Sequence, residues 1–84
     1  MLSSDEEKRI IAAITAACEL GPNWKDICAK YPDHYVKQLD SLACMLSGAI
    51  YVAIWTGERE FFQRLNEMRD ATWEERRRLV GVTA

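Results

Sequence analysis

Apolar and charged positions interleave along most of this chain, but from Ser41 to Gly57 (SLACMLSGAIYVAIWTG) no charged side chain occurs. Before that run, Ile10, Ile11, Ile14, Ala17 and Cys18 recur at helical spacing and predict a first helix with one apolar face. Its start is marked by Ser3 or Ser4, because Glu6 and Glu7 lie three residues later and can reach back as capping boxes. Asp5, Glu6 and Glu7 also suit the positive end of a helix dipole. Gly21-Pro22 is the expected stop. Trp24, Ile27, Cys28 and Tyr31 then predict a short second helix, capped by Asn23 and ended by Pro32, which disfavours helical geometry at the residue before it.

With Asp33 as its cap, a third helix is predicted from His34 to Thr56. From Leu39 onward it is apolar on nearly every side: Leu39, Leu42, Leu46 and Ile50 on one flank, Tyr51 and Trp55 on another. A helix apolar all round is expected to be buried all round. It would be about 34 Å long in a domain roughly 30 Å across, so it should either bend near Ser47-Gly48 or project and be covered by a second subunit. The bent central helix is the expectation carried forward. Thr56-Gly57 marks a break. Glu58 to Asp70 predict a fourth helix with a Phe61, Leu65, Met68 stripe, and Thr72-Trp73-Glu74-Glu75 reads as a capping box opening a fifth that ends at Gly81. No strand-like alternation occurs. The expected fold is all-α: one domain over residues 1–84, a compact bundle of four to five helices around a central apolar helix at about residues 34–56.

Composition adds a partner to this picture. The chain has 84 residues and is 49% hydrophobic, more apolar surface than so small an interior readily encloses. Apolar surface left outside usually meets another protein. A net charge of −2 argues against a general polyanion binder. The Arg76-Arg77-Arg78 run is preceded by Glu74 and Glu75, which pair with it along the helix, and Trp73 can stack on Arg76 or Arg77. That pattern describes a self-neutralised helix face.

Candidate chemistry is sparse. Cys18, Cys28 and Cys44 form an odd set without CxxC spacing, which fits reduced thiols in a cytoplasmic protein better than a disulfide framework. With His34 they do not fall into the closely spaced pairs of zinc sites, so no metal is expected. Nothing identifies a residue to orient a Cys28–His34 nucleophile pair, and there is no glycine-rich phosphate loop; no catalytic residue and no cofactor are expected. The uncharged run spans about 26 Å, short of a hydrocarbon layer of about 30 Å, and Ser41, Ser47, Gly48 and Thr56 dilute it. Ala49, Ala53 and Gly57 do make a small-residue row of the kind helices use to approach closely. The acidic N-terminus, MLSSDEEKR, carries no secretion signal.

Residues 3–46 resemble a Myb/SANT-type three-helix unit. The resemblance rests on Asp5-Glu6-Glu7, the isoleucines after it, Gly21-x-Asn23-Trp24, Ile27-Cys28-Ala29 and Gln38. The family's first tryptophan is replaced by Leu2 or missing, and the third helix has no tryptophan before Trp55. The resemblance implies an accessory DNA-binding or protein-binding role. The third helix offers only His34 and Lys37 as basic groups before it turns apolar, which suits the protein-binding members. The functional expectation is therefore a non-enzymatic interaction module: an adaptor, assembly factor or inhibitor acting by surface complementarity, with a homodimer as one form of the partner. The expected anchors are Tyr51, Trp55, Phe62 and Trp73, with Arg77 among the surrounding charges.

Overall fold

A computed structural model describes residues 2–81, the side chains of Pro32 and His34 excepted. Among the described residues there are four helices and no strand: α1 (Ser4–Ala17), α2 (Trp24–Lys30), α3 (Pro32–Thr56) and α4 (Arg59–Leu79). The α1 start is the capping box that the sequence predicts. Ser3 Oγ accepts from the Glu6 N–H at 3.1 Å, and the Glu6 carboxylate accepts from the Ser3 N–H at 2.9 Å. These bonds hold the Glu6 carboxyl below its ordinary value, the backbone bond to Ser3 contributing most. The stop comes earlier than Gly21. Glu19 takes the left-handed conformation (φ 60), with Leu20 N–H bonded to Thr15 O and Glu19 N–H to Ala16 O, so a Schellman turn closes the helix without glycine. Buried Leu20 seals the turn.

Two expected caps are absent. Asn23 precedes α2 but makes no side-chain capping bond. The third helix begins at Pro32 in its first turn rather than behind Asp33, since proline needs no N–H partner there. α3 runs as one unbroken helix from Pro32 to Thr56 through Ser47-Gly48, where Ser47 Oγ donates back to Ala43 O at 2.9 Å. Gly57 at φ 75 then turns the chain, and Glu58 N–H closes onto Ala53 O at 2.9 Å.

After this turn α4 returns antiparallel along α3 as one helix, where the sequence predicts two. Thr72 is fully buried, and its hydroxyl donates to Met68 O at 2.7 Å instead of capping a new helix. Breaking the helix at a buried position would strand backbone groups away from water, so continuation wins. The seam between α3 and α4 is the heart of the fold. Leu39, Leu42 and Leu46 from α3 and Leu65 from α4 are fully enclosed, with Ile50, Ala53 and Phe61 beside them.

α1 and α2 lie across this hairpin. α1 adds Ile14, Cys18 and the partly buried Ile10 and Ile11. It is anchored by a buried carboxylate: Glu7 accepts from Arg64 Nε at 3.0 Å and Nη2 at 2.5 Å. The bonds to Glu7 raise the Arg64 guanidinium further above its ordinary range. α2 contributes Trp24 and Cys28. The Cα atoms fill 39 × 26 × 15 Å, and the shortest dimension is the thickness of two helix layers. Two layers cannot wrap a helix on all sides. This corrects the expectation of a central helix buried all round: α3 supplies much of the core from one face and leaves the other open.

Burial also sorts the thiols. Cys18 and Cys28 are buried and Cys44 is exposed. Burial pushes the Cys18 and Cys28 thiols up, with the Glu75 carboxylate adding to the effect at Cys28. In dilute native protein, an alkylating reagent at neutral pH is expected to modify Cys44 alone, and the other two only after denaturant is added. Mass spectrometry of the labelled peptides reads this directly; fast native labelling at Cys28 would contradict the packing of α2.

Candidate interaction surface on α3

The open face of α3 is a continuous stripe. Ser41, Cys44, Met45, Gly48, Tyr51, Val52 and Trp55 are all exposed and fall at alternating three- and four-residue spacing, which is one side of a helix. Their exposure increases toward the C-terminal end: Met45 is 41% exposed, Val52 63%, Tyr51 65% and Trp55 78%. Single exposed apolar residues are ordinary, but a contiguous row ending in two aromatics is not. Ile54 extends the apolar surface toward α4. On the α1 side, a groove of about 460 Å³ continues it, lined by Leu2, Ile10, Ala49, Val52, Ala53 and Phe61.

The predicted anchors do not converge. Tyr51 and Trp55 lie together on the stripe. Phe62 is half-buried and packs against the core, so most of its ring is committed within the chain. Trp73 is exposed at the far end of the α3–α4 hairpin, where Arg76 binds Asp40 and holds its guanidinium 6.0 Å from the Trp73 ring centre. Arg77 pairs with Glu74 at 3.1 Å, and Arg78 with Glu75 at 2.5 Å. The arginine run is thus matched by carboxylates, as its spacing predicts. Cys44, Met45, Gly48 and Val52 join the surface as residues the sequence does not single out: they share helical spacing with Tyr51 and Trp55, but in a helix apolar on every side that spacing serves a core equally well.

Comparison with known protein families, with curated proteins and with solved structures finds no match to this chain. Its own chemistry therefore carries the argument. Among the described residues no three His, Cys, Asp or Glu side chains gather as a metal site. Of the residues weighed for one, His34 has its side chain outside the described set. A second cavity of about 400 Å³ borders Glu7, Glu58, Arg59, Glu60 and Arg64; three of these charges are engaged, Glu7 with Arg64 and Glu58 Oε2 accepting from Leu2 N–H at 3.1 Å. The stretch Tyr35–Thr56 is long and apolar enough to cross a membrane by length and composition, and only 33% of its most apolar window is buried within the chain. The apolar stripe on α3 is the candidate site.

Proposed function

We propose that this chain is a non-catalytic protein-interaction module, an adaptor, assembly factor or inhibitor that docks through the open face of α3. The observation that supports this reading most is Trp55, 78% exposed beside Tyr51 and Val52 on one helix face. Aromatics in such a row are the usual energetic centre of an interface, because they bring large apolar area at little cost in side-chain entropy. In this reading α3 is central to the assembly: its inner face holds its own chain and its outer face holds the partner. The paired arginines of α4 act as rim charges that set orientation. The setting we propose is cytoplasmic, in keeping with unpaired cysteines.

A photo-crosslinking side chain placed at position 51, with a control at exposed Gln63 on α4, tests this in cells that express the chain naturally. A discrete protein adduct from position 51 and none from position 63 is the expected result. Adducts to lipid alone, or the same protein from both positions, would overturn it.

A further inference from the structure

Resting on that reading, we infer that the occupant of the α3 face is a second copy of this chain, packed antiparallel across a two-fold axis at Gly48. The first argument is area. A compact monomer of 9.7 kDa is expected to expose about 5,100 Å². This chain exposes 5890 Å². The surplus, taken over the whole chain with its termini, is roughly 800 Å², of the order of one partner's share of a standard interface. Tyr51 and Trp55 together account for roughly 300 Å² of exposed surface on the stripe. The radius of gyration, 13.2 Å against about 12 Å expected for this length, agrees with a flat half of a thicker assembly.

The second argument is shape. The stripe is small at one end (Ser41, Cys44), empty of side chain at its centre (Gly48), and large at the other end (Tyr51, Val52, Trp55). A two-fold through Gly48 pairs residues whose numbers sum to about 96. It sets Trp55 over Ser41 and Tyr51 over Cys44, large against small, and brings Met45, whose sulfur accepts from Cys18 in its own chain at 3.4 Å, over Val52. Parallel pairing would stack Trp55 on Trp55 and leave the small end gaping. A Cβ placed on Gly48 meets nothing within 4 Å in its own chain, so the space directly in front of it is open to the partner. Glycine at that point lets two helix backbones approach closely.

Sedimentation equilibrium of the purified full chain in detergent-free buffer tests the association. An interface of standard size predicts a mass of twice 9.7 kDa at high concentration, with dissociation on the order of 1–10 µM or tighter. Gly48→Arg is the decisive variant. Its Cβ meets nothing within 4 Å in its own chain and arginine is the better helix former, so the monomer is expected to keep its fold by circular dichroism while dimerisation falls at least about 100-fold. Register is read by cysteine. Facing Cα atoms at Gly48 lie about 3.5–5.5 Å apart for axes 8–10 Å apart, the wider half of which is within disulfide reach, so Gly48→Cys in a Cys44→Ser background crosslinks on mild oxidation. Native Cys44 residues, about 12 Å apart along the axis, do not.

A monomer at every concentration overturns the inference, as does a dimer indifferent to Gly48→Arg or one that crosslinks through Cys44. Binding of monomer to phosphatidylcholine–phosphatidylglycerol vesicles, with no dimer in buffer, overturns it in favour of a membrane surface. A monomer that still gives a discrete foreign adduct from position 51 sinks the dimer and leaves the interaction-module reading standing.

Discussion

Leu65→Ala is expected to lower the melting temperature by about 15–25 °C and to leave a substantial unfolded fraction at 37 °C. Leu65 is fully enclosed in the α3–α4 seam, against the leucines of α3. Truncation removes its transfer free energy and leaves a cavity that rigid helices on both sides fill poorly, at a cost of about 3–4 kcal/mol. A domain of this length has a total stability of only about 4–12 kcal/mol. Intrinsic helix preference works in the other direction, since alanine favours the helix slightly over leucine, so a loss must come from packing. Thermal unfolding followed by circular dichroism measures it, at fixed low concentration so that association does not contribute. A shift under about 5 °C would mean that the seam is not the packed centre of the fold.

Trp55→Ser is expected to do the opposite: association weakens by about 100-fold or more, while the stability of the dilute monomer stays within about 0.5 kcal/mol. Trp55 exposes most of its surface, so folding gains little from it. An interface that buries it gains the transfer of a large ring and loses that gain when serine replaces it. Comparing the two variants separates the inner and outer faces of α3. Leu65→Ala damages folding and, through it, everything else; Trp55→Ser damages only what the outer face does. Equal melting shifts in dilute solution would contradict this division, because they would place Trp55 inside the chain.

Several elements were legible residue by residue. Ser3 and Glu6 specified the α1 start because a capping box needs only its own four residues. Gly57 specified the turn between α3 and α4 because left-handed backbone disfavours a side chain. The carboxylates matched to Arg77 and Arg78 were equally local, three residues away on the same helix. Where reading failed, the deciding contact lay elsewhere in the chain. Thr72 has the sequence of a cap, yet burial against the hairpin kept α4 continuous. Glu7 reads as a capping carboxylate at the positive end of the α1 dipole, but it is buried against Arg64 from a distant helix. Phe62 resembled Tyr51 and Trp55 as an anchor; the position of the core placed it largely inward.

By itself the sequence determined that this chain is helical and where most of its turns fall, because caps, breaks and apolar spacing act over a few residues. It also determined that residues 41–57 hold more apolar surface than one small bundle needs. Only the tertiary structure decided which side of that helix is covered. Four helices packed two layers deep enclose Leu39, Leu42 and Leu46 and leave Tyr51, Val52 and Trp55 outside. Periodicity cannot make that choice for a helix apolar on every side, since each face satisfies the core equally well until the neighbouring helices have taken their places.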